Sequence, residues 1–222
     1  MSIGDELARR YASGINLFGS PRDDSDAALD RFAGLVGSGE RIIILQVPEI
    51  RIAPGLVARM TATGVQMVAA QPVAAAPDPE EMVSLGEADA ADMLALATLT
   101  EPGPFLRNTY RMGRFFGIRI DGRLAAMAGE RFRFPGYTEV SGVCTHPDFR
   151  GLGLARRLSR FVAARIAARG ETAFLHAWKK NVAAITLYET LGFKLRCDVN
   201  VAVLARAPLR RAKHERGFSK RS

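Results

Sequence analysis

The run Arg150-Gly-Leu-Gly-Leu-Ala155 sets two glycines one residue apart, with arginines at 150 and 156 on either side. Directly after it, Leu154, Leu158, Phe161, Val162 and Ile166 recur on one face of a 3.6-residue period, so the run opens a helix. The first turn of a helix carries backbone N–H groups with no partner inside the helix, and its dipole favours an anion. Small residues let a ligand approach that backbone closely, and Arg150 and Arg156 add full positive charges. The chemistry served is the holding of a phosphate or pyrophosphate. The spacing is not the G-x-G-x-x-G of a dinucleotide fold, because Arg156 takes the third glycine position. Nor does a Gly-Lys-Ser/Thr of a P-loop follow.

Other reactive residues are few. Cys144 and Cys197 fall inside strand-like runs without metal-ligand spacing and read as buried, reduced thiols. Cys144 lies close to the elbow, which leaves an acyl-cysteine as an alternative. His146, His176 and His214 are too scattered to build a metal centre, so no metal is expected. Asn181 stands where a helix N-cap belongs. Tyr188 shares an apolar stripe with Ala184, Ile185 and Leu191, and spacing alone makes it a core tyrosine.

The elements that must position these residues follow from pattern. Ser25 caps a helix over 25–36 that Gly37 and Gly39 stop, and 41–47 is a buried-type strand. Pro54 and Thr63-Gly64 frame a short helix, and 65–70 is a strand. Three prolines among small residues mark 71–80 as a linker. Beyond it come a strand at 82–85, a helix at 88–100, a loop at 103–110, and a hairpin over 115–120 and 124–132 turning at Asp121-Gly122. A strand then runs into the elbow helix. Strand 172–178, helix 182–191 and strand 193–204 close the chain.

At 222 residues with 48% apolar content, the chain has enough material for a real core. No apolar run reaches the length of a membrane span and the first thirty residues lack a signal-peptide core, which points to a cytoplasmic protein. The formal charge of +8 is concentrated: residues 206–222 carry seven bases against one acid. This reads as a solvated basic tail rather than a nucleic-acid site, since only Phe218 interleaves the charges.

Arg150, Gly153 and Ala155 fill every fixed position of the Q/R-x-x-G-x-G/A signature of the GNAT superfamily of N-acetyltransferases, which the chain resembles. A second block agrees. Asn181, Ala184, Tyr188, Gly192 and Phe193 match the family's N-x-x-A-x-x-x-Y-x-x-x-G-F run. The resemblance covers about 81–205 and implies the acyl-CoA N-acyltransferase fold: an α/β (α+β) architecture with a mixed, mostly antiparallel sheet flanked by helices. Residues 1–70 would be a smaller β/α half, such as a degenerate partial copy of the same fold, ahead of the 71–80 linker, and 206–222 a flexible tail.

The resemblance also implies function. Backbone amides of Gly151, Leu152, Gly153, Leu154, Ala155 and Arg156 would hold the pyrophosphate of acetyl-CoA beside Arg150, and Val143, Cys144 and Thr145 would pair with its pantetheine arm. Asn181 would touch the pantetheine or phosphate region. Tyr188 would be the general acid for the departing thiolate. Two residues compete as the water-relayed base: Glu139, on the strand before the elbow, and His176, histidine being the residue type that needs no tuning to act as a base near neutral pH. Glu139 is put first, because a glutamate on that strand is the commoner family feature. The reaction implied is direct attack of a primary amine, on a small molecule or a peptide, by a monomer or homodimer. The alternative is a catalytically silent acetyl-CoA-binding regulatory module.

Overall fold

A computed structural model of the chain describes residues 1–74 and 81–208. Strands β1 (Ser2–Gly4), β2 (Ala8–Tyr11) and β3 (Gly19–Pro21) form a small antiparallel sheet. Helix α1 (Asp26–Gly34) follows, with Ser25 Oγ accepting from the backbone N–H of Ala28, and then β4 (Arg41–Gln46) and β5 (Leu56–Ala69). The rest is β6 (Val83–Leu85), α2 (Ala90–Thr100), β7 (Phe115–Ile120), β8 (Arg123–Phe134) and β9 (Tyr137–Thr145). It continues through α3 (Leu154–Ala167), β10 (Thr172–Trp178), α4 (Val182–Thr190) and β11 (Phe193–Arg206). The β-α-β-β-β-α-β-α-β order from residue 81 is the one read from the sequence. Asp121 and Gly122 both take positive φ, as a two-residue turn matching strand twist requires.

Eight strands form one sheet in the order β4-β11-β5-β10-β9-β8-β7-β6. Every neighbouring pair is antiparallel except β9 and β10. Against one face pack α3 and α4: Leu158, Val162 and Ile166 meet Ala126, Ala128, Val140 and Leu175 in the largest core cluster. Burying each such aliphatic side chain contributes about 1.5–3 kcal/mol. On the other face, Met93 and Leu96 of α2 cover Phe115, Met127 and Cys144. Phe18 covers Ile43 and Val201 there.

Three sequence expectations need correction. Residues 54–62 are not a helix: Leu56 to Ala69 is one long strand, hydrogen-bonded to β11 on one side and β10 on the other. Gly64 is not a helix stop. A Cβ there would sit 3.0 Å from the carbonyl oxygen of Ala177, so glycine admits the close approach of β10. The sheet also crosses the expected linker, since β4 and β5 from the first seventy residues pair with β10 and β11. Of the linker itself, residues 75–80 lie outside the described residues. Finally, residue 206 belongs to the fold rather than to the expected tail: Arg206 lies in β11, its Nε donates to the Val36 carbonyl, and the N–H of Ala207 donates to the Gly55 carbonyl. The remainder of the expected tail, 209–222, lies outside the described residues.

Candidate active site

The parallel pairing of β9 and β10 covers only three residue pairs and ends at Glu139 opposite Phe174. Beyond that point the strands part: β9 stays on β8, which it pairs as far as Thr145, and β10 stays on β5 as far as Trp178. The freed edges bear backbone polar groups with no partner across the gap, and a cleft of about 900 Å³ opens there. Gly142 aids the separation, because its positive φ lies beside an irregularity in the β8–β9 register.

The elbow forms the cleft's far end. Gly151 and Gly153 both have positive φ, and nothing lies within 4 Å of where a Cβ would stand on either. Gly153 caps α3 without a side-chain hydrogen bond, and the first bond back to it comes from Arg157. The N–H groups of Leu154, Ala155 and Arg156 therefore start the helix without acceptors inside it. Arg150, Gly151, Gly153, Leu154, Ala155 and Arg156 all line the cleft. So do Val143, Cys144, Thr145 and Asn181. Asn181 caps α4 through Oδ1, which accepts from the N–H of Ala184 at 3.2 Å. Leu152 differs: its side chain is exposed and outside the lining.

Tyr188 of α4 is buried and lines the cleft together with Cys144 and Thr145. Burial pushes its phenol up to about 12, with Cys144 and Glu139 acting in the same direction. Burial likewise pushes the Cys144 thiol up to about 11. That shift disfavours the thiolate an acyl-cysteine would need.

Glu139 and His176 are not rivals in space but partners. Glu139 is completely buried and lies behind the cleft, not in its lining. Arg131 clasps it with two bonds of 2.7 Å, Nε to Oε2 and Nη2 to Oε1. Burial alone would raise the carboxyl, but the guanidinium and the His176 N–H outweigh it and hold Glu139 down at about 2. Arg131 reaches this position because the β8–β9 register is irregular between Glu130 and Arg133, and its guanidinium lies over the rings of Phe18 and Phe132.

His176 lines the cleft, with Nδ1 2.7 Å from Glu139 Oε1 and Nε2 3.0 Å from the side-chain nitrogen of Gln66. The proton positions follow by elimination. Arg196 can only donate, and it binds Gln66 Oε1 at 2.5 Å, so the Gln66 NH₂ faces His176. That NH₂ donates to Nε2, which leaves the imidazole proton on Nδ1, donated to Glu139. A chain of bonds thus runs from Arg196 through Gln66, His176 and Glu139 to Arg131. Sequence reading missed Arg131, Gln66 and Arg196. The available signals were an arginine and a glutamate in adjacent hairpin strands, and a lone polar residue within an apolar run at 65–70.

The model of the family described as FR47-like protein matches residues 115–203. A crystal structure from Novosphingobium aromaticivorans, assigned to the GNAT family of acetyltransferases, is 42% identical and has a TM-score of 0.87, covering 93% of this chain and 92% of that one. The chain belongs to the GNAT family. Two further structures share the fold at lower identity. A GNAT acetyltransferase from Colwellia psychrerythraea is 14% identical, with a TM-score of 0.54 over 90% of this chain and 80% of that one. A GCN5-related N-acetyltransferase-like protein from Streptococcus suis is 17% identical, also at 0.54, over 86% and 78%. No curated protein matches this GNAT chain. Among its described residues, no cluster of three or more His, Cys, Asp or Glu side chains could hold a metal ion, and no helix is long and apolar enough to cross a membrane.

Proposed function

We propose that this GNAT protein transfers an acetyl group from acetyl-CoA to a primary amine. The observation that carries the reading is the parting of β9 from β10, which opens a cleft with a bare helix start at one end and the Tyr188 hydroxyl and His176 imidazole on its walls. The residues present fit the coenzyme. Thr145 Oγ1 is buried at the cleft without a hydrogen-bond partner among the described residues, and the backbone at Gly151 and Gly153 stands open. The amides of the elbow and first turn of α3, with Arg150 and Arg156, would hold the pyrophosphate, and the free edge of β9 from Val143 to Thr145 would take the pantetheine arm. When bound, acetyl-CoA supplies the activated acetyl thioester.

The chain's own groups divide the proton work. An amine is protonated at neutral pH and must lose a proton to react. His176 Nε2 is a lone pair already satisfied by one N–H donor, and an incoming amine, or a water bonded to it, replaces the Gln66 N–H there. Glu139, held anionic by Arg131, fixes the tautomer and stabilises the imidazolium that forms. Glu139 is thus a positioning residue, since a buried carboxylate near pKa 2 is a feeble base. Burial keeps the Tyr188 phenol protonated at neutral pH, and it can deliver that proton to a departing thiolate.

Calorimetry with acetyl-CoA and a thiol-release assay with a panel of amines test the proposal together. Binding plus amine-dependent thiol release is the expected result. Absence of acetyl-CoA binding would refute it, and binding with no release from any amine would mark the protein as a coenzyme-responsive regulator.

A further inference from the structure

The cleft does not end at the parted strands. It continues across the sheet face over β10, β5, β11 and β4, and the floor there is apolar. Val201 faces Leu45 and Val203 faces Ile43 as cross-strand neighbours, with Trp178 and Val199 on the β10 side. His176 stands where this limb meets the gap between β9 and β10. The nitrogen that His176 deprotonates is therefore carried by whatever fills the limb. Among the described residues lining the whole cleft, the one carboxylate is Glu101, at the C-terminal end of α2, whereas Arg131, Arg150 and Arg156 are cations. A polyamine or aminoglycoside would bury its extra charges against valines and arginines without compensation.

Resting on the acetyl-transfer reading above, we infer that the acceptor is a primary amine attached directly to an apolar aliphatic or aromatic body. Simple amines have that chemistry outright, and apolar amino acids add a carboxylate beside the amine. In the transfer, one N–C bond forms as the C–S bond breaks. The ammonium loses one proton to His176 before attack; nitrogen sheds a second after attack, which restores to Tyr188 the one it gives to sulfur, so one proton is released per turnover.

Trp178 is the only tryptophan in the chain and lines the limb, so its fluorescence reports entry there independently of turnover. The full-length protein loaded with CoA is titrated with 2-phenylethylamine, phenylalanine and spermidine. Thiol release from acetyl-CoA is measured with the same three. Expected are a saturable Trp178 response to the apolar probes and a kcat/KM for them at least about tenfold above that for spermidine, the scale on which apolar pockets discriminate. Phenylethylamine against phenylalanine separates the two sources. Leu45→Glu, at a half-buried position, should lower kcat/KM for the preferred apolar probe about tenfold or more while acetyl-CoA affinity stays unchanged and the protein remains folded at the assay temperature, with Leu45→Ala intermediate. Three results overturn the inference: no Trp178 response to apolar amines, faster turnover of spermidine, or a Leu45→Glu defect that follows the donor's acyl length rather than the amine. Loss of acetyl-CoA binding in the wild-type protein would instead sink the transferase reading.

Discussion

Replacing Arg131 with methionine isolates the energetics beneath the site. Glu139 is wholly buried, and both of its oxygens are held by Arg131 at 2.7 Å, so the bond pair is not weakened by water. Removing one member of a buried ion pair typically costs about 3–5 kcal/mol, because the other charge is left uncompensated. For a chain of this size that is a fall in melting temperature of about 6–20 °C. Adding Glu139→Gln to Arg131→Met removes the stranded charge and should restore more than half of the loss. Urea unfolding of the four proteins at pH 7 measures the cycle. The sign with pH follows from the depressed carboxyl. Glu139 titrates near 2 when folded against an ordinary 4.5, so its contribution is fully present above about 4.5 and disappears as pH falls towards 2. That contribution, about 3 kcal/mol, should vanish from the acid-unfolding profile of Arg131→Met. An Arg131→Met protein within about 1 kcal/mol of wild type, or a double variant as weak as the single, would refute the buried-pair argument.

The remaining expectations concern the chemistry. Tyr188→Phe should lower kcat about 10²–10⁴-fold with acetyl-CoA affinity unchanged by calorimetry, as the loss of a general acid does. His176→Gln should lower kcat about 10²–10⁴-fold, the scale of a lost general base, with acetyl-CoA affinity unchanged by calorimetry. Gly153→Val should weaken acetyl-CoA binding, since it puts a β-branched residue at φ +71° where the backbone must lie open to phosphate; a folded variant with wild-type affinity would contradict this.

What the sequence disclosed and what it hid differ in range along the chain. The elbow, the α3 stripe, the Asp121-Gly122 turn and the Asn181 cap are local patterns, and each stands where its periodicity or turn chemistry put it. The carboxylate–imidazole pair was visible only as two separate candidates. Joining them takes a register irregularity in β8 and a fold that brings residues 139 and 176 together, and no single-sequence spacing encodes either. The long strand β5 was misread because its cues are also helix cues. Pro54 and Gly64 bracket a run whose side chains between Arg59 and Thr63 are mostly exposed, so neither alternation nor an apolar run marks it. Its strand character comes from the partners on each side, which lie far off in sequence.

The position of β5 also sets a clock on folding. Gln66 pairs with His176 and with Cys197, more than a hundred residues later, so neither flank of this central strand has a partner while the middle of the chain is made. At synthesis rates of about 5–20 residues per second, the fourteen-residue strand waits roughly 5–20 s with both edges open. Distant pairings of this kind slow folding and leave strand edges available for wrong pairing. The charged and polar residues between Arg59 and Thr63, which add nothing to the core, keep the waiting strand from offering a continuous apolar edge.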